Sequence, residues 1–134
     1  MPDRILIDTA FVIALINKRD RYHKPARVLA DRYDGQPMLI TDAVLLEIGN
    51  ALAHGFKEEA SALISQFLAS DEVQISRLSP DLFDEAFALY RDYLDKEWSL
   101  VDCISFVVMR REKISQALTF DQHFVQAGFE ILSG

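Results

Sequence analysis

Residues 4–8 read Arg-Ile-Leu-Ile-Asp, a short unbroken aliphatic run closed by an acid. A run this short without polar alternation predicts a strand covered on both faces, the pattern of a parallel sheet between helical layers. Met38-Leu39-Ile40 and Val73 to Ile75 read the same way, and Ala117-Leu118-Thr119-Phe120 repeats the whole device, ending at Asp121. Phe129-Glu130-Ile131-Leu132 predicts a last edge strand.

Helical segments separate these runs. Ala10 to Ile16 holds at most two turns before the polar loop Lys18-Arg19-Asp20-Arg21. His23-Lys24-Pro25 opens a helix with Val28 and Leu29 inward, closed by Asp34-Gly35, since proline is tolerated in a first turn. Asp42 is expected to cap a third helix through Leu45, Glu47, Ile48 and Leu52 to a stop near Gly55. A fourth, Glu58 to Ala69, carries Leu63, Ile64, Phe67 and Leu68 as its stripe. Ser79-Pro80 starts a fifth, with Phe83, Ala86, Phe87 and Tyr90 at helical spacing. Ser99 starts the sixth, and Asp102 three residues later forms a capping-box pattern with Asp in place of Glu. A short helix follows Asp121. Strands alternating with helices predict an α/β sandwich around a mainly parallel sheet.

At 134 residues the chain predicts one domain spanning residues 1–134, with no repeat or linker. No apolar run approaches the roughly 18 residues of a membrane span, and Asp8 breaks the apolar N-terminal stretch, so neither a membrane anchor nor a secretion signal is expected. Cys103 is the only cysteine, which excludes an internal disulfide and predicts a cytoplasmic home. The net charge of −7 argues against a broad grip on polyanions. It leaves open an enzyme that holds a few phosphates through metal ions.

In open α/β sheets, ligands gather beyond the carboxyl ends of strands. Asp8 and Asp121 both sit there, although each also reads as a helix N-cap. Asp102 lies in a helix apolar on nearly every face (Leu100, Val101, Cys103, Ile104, Phe106, Val107, Val108), where a carboxylate costs desolvation unless a cation or donor is close. Glu47, between Leu46 and Ile48, shares a helical face with Val44 and Ala51. Clustered carboxylates repel one another, and a hard divalent ion such as Mg²⁺ or Mn²⁺ offsets that cost. One cysteine and three scattered histidines offer no zinc spacing.

Taken together, Ile5–Leu15 with Asp8, Thr41–Leu52 with Glu47, Ser99–Arg110 with Asp102 and Ala117–Leu132 with Asp121 resemble the PIN-domain ribonucleases, particularly the VapC toxins of type II toxin–antitoxin pairs. The resemblance covers essentially the whole chain. It implies a PIN-like three-layer α/β/α sandwich whose four acids converge at the carboxyl edge of the sheet. It further implies Mg²⁺- or Mn²⁺-dependent cleavage of RNA, homodimerisation and inhibition by a small antitoxin. Thr9 matches a hydroxyl residue that supports the metal site in this family. Asn50, Ser99 and Thr119 stand where they can support the acids, though helix interior, N-cap and strand end describe them equally well.

On this reading Asp8, Asp102 and Asp121 bind one or two metal ions, and Glu47 completes the ligand set or orients the attacking water. Lys18, Arg19, Arg21 and Lys24, or Arg110 and Arg111, are candidates for further substrate phosphates, against a plain solvated face. His123 is expected to pack or cap near Asp121. A receiver domain would need an acidic pair before the end of its first strand and a late lysine, and a haloacid-dehalogenase phosphatase would need Asp-x-Asp where this chain has Asp8-Thr9-Ala10. No P-loop is present. The alternatives within the resemblance are a housekeeping RNA-processing PIN nuclease and a PIN fold kept as a binding module.

Overall fold

A computed structural model describes residues 3–133. Five strands form one sheet: β1 (Ile5–Ile7), β2 (Met38–Thr41), β3 (Val73–Ser76), β4 (Gln116–Leu118) and β5 (Glu130–Ile131). Their order is β3-β2-β1-β4-β5, and every neighbouring pair is parallel. The helices are α1 (Thr9–Ile16), α2 (His23–Arg32), α3 (Asp42–Ala51), α4 (Lys57–Ala69), α5 (Pro80–Asp92), α6 (Leu100–Glu112) and α7 (His123–Gln126).

The strand order explains the layers. Crossovers between parallel strands are right-handed, so α1 to α4, which carry the chain from β1 outward to β3, cover one face. The connection from β3 back across to β4 reverses direction, and α5, α6 and α7 cover the other. The core divides accordingly. Ile5, Ile7, Ile40 and Leu118 pack with Phe11, Leu29, Val44 and Ile48 on the first face, while Leu6, Leu39 and Ala117 pack with Ala86, Phe106 and Phe124 on the second. Neighbouring strand residues point to opposite faces, and both faces are apolar because both are covered. The expected α/β/α sandwich is present, and its parallel character is complete.

Several local expectations shift. Thr41, rather than Asp42, caps α3: Thr41 Oγ1 accepts from Val44 N–H at 3.1 Å, because β2 runs one residue further than Ile40. Asp42 is then free to accept the Leu78 N–H, 3.0 Å from both carboxylate oxygens, which ties α3 to the loop after β3. α3 ends at Ala51, and Gly55 takes φ +89° in the turn beyond it. Strand β4 stops at Leu118, leaving Thr119 and Phe120 in the turn that builds the site. On α2, Ala26 and Leu29 face inward and Val28 is exposed; on α4, Leu68 is exposed. On α5, Leu82 and Ala86 are buried, while Phe83, Phe87 and Tyr90 form an exposed row. No helix among the described residues is long and apolar enough to cross a membrane.

Candidate active site

The order reverses between β1 and β4, the switch point where open α/β sheets place ligands, and an acid lies just beyond each strand. Asp8 occupies the N-cap of α1 with extended backbone, yet its side chain makes no capping bond to the helix. Its Oδ2 accepts from the Thr119 hydroxyl at 2.7 Å. The same Thr119 oxygen accepts the Asp121 N–H at 3.0 Å. One wholly buried hydroxyl thus donates to the first acid and fixes the backbone of the second.

Asp102 enters from the first turn of α6. Its N–H donates to Ser99 Oγ at 3.0 Å and its Oδ2 accepts the Ser99 N–H at 3.1 Å, the reciprocal capping box expected from the sequence. That pairing holds a carboxylate only 8% exposed. His123 completes the cluster: Nδ1 lies 3.0 Å from Asp102 Oδ2 and 3.2 Å from Asp121 Oδ1. Asp121 Oδ1 also accepts the His123 N–H at 2.9 Å, so Asp121, one residue before the Gln122 N-cap, steadies the start of the short helix as well as facing the cluster. Asp102, Asp121 and His123 each offer a donor atom within 4.8 Å of the others.

The electrostatics are those of an anion cluster short of positive charge. Burial pushes the Asp8 carboxyl up to about 7; the Thr119 hydroxyl and the Thr9 N–H pull it down, and the charges of Asp102 and Asp121 add to the rise. Beside Asp8, the Thr9 hydroxyl oxygen is buried without a hydrogen-bond partner among the described residues. Oxygen-rich donors, an unsatisfied buried hydroxyl and a carboxyl whose charge is disfavoured chiefly by burial all fit a hard divalent cation.

The model of the PIN domain matches residues 5–130. This chain belongs to the PIN-domain family. Among curated relatives, the 23S rRNA-specific endonuclease VapC20 of Mycobacterium tuberculosis is 31% identical over 127 residues, covering 93% of this chain and 95% of the relative. The crystal structure of that organism's VapC20, a sarcin–ricin-loop-cleaving toxin, superposes with a TM-score of 0.88 at 28% identity, over 97% of this chain and 99% of the other. A toxin–antitoxin complex from Klebsiella pneumoniae shares the fold, with a TM-score of 0.67 at 16% identity over 96% of each chain.

Within this PIN domain the other candidate residues are placed unevenly. Glu47 is half-buried on α3, outside the group of converging donor atoms, and its side chain makes no ion pair or hydrogen bond among the described residues. Asn50, one turn further, is exposed and touches none of the acids through a hydrogen bond. Ser99 and Thr119 hold Asp102 and Asp8 directly, so in both cases the local structural role and the support of an acid are one bond network.

His123 is the residue that sequence reasoning undervalued. It was expected to pack or cap, and it also presents a ring nitrogen to two acids. Its proximity to Asp121 was visible in the chain, but its approach to Asp102 depends on how α6 meets the loop after β4. The two basic groups also separate. Arg111 is held by Glu85 at 2.7 Å and Asp81 at 2.9 Å on α5, whereas Lys18, Arg19, Arg21 and Lys24 are exposed and make no ion pair among the described residues.

Proposed function

We propose that the chain is a divalent-metal-dependent endoribonuclease, the toxin of a toxin–antitoxin pair, acting on an exposed loop of 23S rRNA of the sarcin–ricin type. The observation that carries this reading is the meeting of Asp102, Asp121 and His123 beside the β1/β4 switch point, with Asp8 tied to the Asp121 backbone through the Thr119 hydroxyl, in a chain alike over nearly its full length to an rRNA endonuclease. Asp102, Asp121 and His123 would hold Mg²⁺ or Mn²⁺, with Asp8 as a further carboxylate beside them. Glu47, on α3 outside that donor group, would complete the ligand set or orient the attacking water once turned toward the ion.

A bound divalent ion lowers the pKa of water toward neutrality and stabilises charge on the attacking and leaving oxygens. The chain's own residues supply the rest. Thr119 fixes the spacing between Asp8 and the Asp121 backbone, and Ser99 fixes Asp102. Hydrolysis forms one P–O bond from water and breaks one P–O bond of the phosphodiester, a site carboxylate taking the water's proton and the leaving ribose oxygen departing as a hydroxyl with a proton in return.

The partner of this reading is a small antitoxin protein, supported by the fold shared with a toxin–antitoxin complex. A cytoplasmic homodimer is the assembly proposed. The test is cleavage of a synthetic sarcin–ricin hairpin by the purified chain. Cleavage in Mg²⁺ or Mn²⁺ that stops in excess EDTA supports the reading, and an intact hairpin with every divalent ion opposes it.

A further inference from the structure

The loop between α1 and α2 carries Lys18, Arg19 and Arg21 against one acid, Asp20, and Lys24 follows in the first turn of α2, a net charge of +3 over residues 18–24 in a chain of net −7. It is a built loop rather than a solvated tail. Asp20 N–H donates to the Asn17 carbonyl at 3.0 Å, Tyr22 N–H donates to Asp20 Oδ1 at 2.9 Å, and His23 Nδ1 pairs with the Ala14 carbonyl at 2.9 Å. Its last residue, Tyr22, stacks on Phe120 with ring centroids 4.5 Å apart and planes 4° from parallel. Phe120 sits between Thr119 and Asp121, so the stack fastens the basic loop to the rim of the acid cluster.

Beside the stack opens a cavity of about 450 Å³, lined by Ile13, Asp20, Tyr22, Phe120, Asp121 and Gln122. Asp121 belongs to both cavity and site. Over the Tyr22 ring lies the Arg21 guanidinium, 4.5 Å from the centroid and bonded to the Tyr22 hydroxyl. Because Arg21 is exposed, it can swing from its own tyrosine onto a ligand.

We propose that this cavity seats the base of a nucleotide next to the scissile phosphate, against the Tyr22–Phe120 pair and clamped by Arg21. The inference rests on the ribonuclease reading and adds a subsite to it. Aromatic pairs and arginine planes are how proteins hold unstacked bases of RNA loops. Every base has a π-face for the aromatic pair, while the Asp20 carboxylate and Gln122 amide stand at the rim for its polar edge. Lys18, Arg19 and Lys24 supply the local positive charge that a polyanion needs in a chain otherwise net negative.

The experiment uses the intact chain and the RNA hairpin it cleaves, starting with the sarcin–ricin loop. 2-Aminopurine is placed in turn at the positions either side of the cleaved bond, and fluorescence is followed on binding to the Asp8→Asn protein, which retains the whole cavity. The expected result is strong quenching at one flanking position, reduced in the Tyr22→Leu and Arg21→Ala backgrounds. In otherwise wild-type protein, each of these changes should raise KM roughly five- to a hundred-fold, the range of one base–aromatic contact, with kcat little changed. Arg21→Ala alters only an exposed side chain, so it stands as the test should Tyr22→Leu fail to fold. Undiminished quenching and unchanged KM in the folded variants overturn the subsite while cleavage by the wild type keeps the ribonuclease reading. If the wild type cleaves no RNA, both fall together.

Discussion

Replacing Asp8 by Asn removes a carboxyl from a buried position, and its effect on stability can be worked from the site. In the unfolded chain this carboxyl titrates near 3.8; in the fold, burial and then the Asp102 and Asp121 charges push it up to about 7. A raised folded pKa means that the native state keeps a proton which the unfolded state releases. The metal-free protein therefore loses stability as pH rises from about 4 to about 7, and the loss is complete above that. At about 1.4 kcal/mol per unit, the cost of the charged form is on the order of 4 kcal/mol.

Asn keeps an oxygen to accept from Thr119 but makes a weaker bond than a carboxylate, so the expected net gain is on the order of 2–4 kcal/mol. For a chain of this size that corresponds to a melting temperature higher by roughly 10 °C. The assay is urea or thermal unfolding of both proteins in EDTA at pH 8 and at pH 4. The variant should be the more stable at pH 8, the two should converge near pH 4, and saturating Mn²⁺ should favour the wild type. A variant no more stable than wild type at pH 8, with the same pH slope, would refute the claim that Asp8 is a charge held at a cost.

Further outcomes follow from the same network. His123→Gln should weaken Mn²⁺ binding about tenfold by titration calorimetry and remove any nitrogen coupling from the Mn²⁺ electron spin echo signal; unchanged spectra would leave His123 as a hydrogen-bonding residue only. Thr119→Val should cost about 1–3 kcal/mol in urea unfolding, because the Asp121 N–H and Asp8 both lose a buried partner, and should lower kcat as well. Ser99→Ala should cost about 1 kcal/mol through the lost cap, read by the same unfolding curves. Glu47→Gln should leave stability within about 0.5 kcal/mol, as expected of a side chain without partners, while reducing single-turnover cleavage; full activity would remove Glu47 from the site.

The parts of the fold legible in the chain were those written in local pattern. Arg4 to Asp8 reads as a doubly covered strand because no polar residue interrupts it, and Ser99 with Asp102 reads as a capping box because both partners lie within one turn. Burial was less legible. Helical spacing correctly grouped Phe83, Phe87 and Tyr90, but spacing cannot say whether another element covers a face, and in the structure none among the described residues buries them. The strand-end acids Asp8 and Asp121 were visible in the chain, each after an apolar run, whereas the reason they form a site was not. That reason is a sheet order placing β4 beside β1, with the Thr119 hydroxyl between Asp8 and Asp121. Likewise nothing in the sequence distinguished Arg111, tied down by α5, from the loop at residues 18–24, stacked through Tyr22 onto the edge of the site.

The central claim is that Asp8, Asp102 and Asp121 make one metal-dependent RNA-cleaving centre. The most direct measurement is 5′-end mapping of a 23S rRNA sarcin–ricin hairpin incubated with purified wild type, Asp8→Asn and Asp102→Asn, each in Mn²⁺ and in excess EDTA. The account predicts one discrete new end with the wild type in Mn²⁺ and no cleavage in the other five reactions. The same end appearing in EDTA, or with both folded variants, would contradict it.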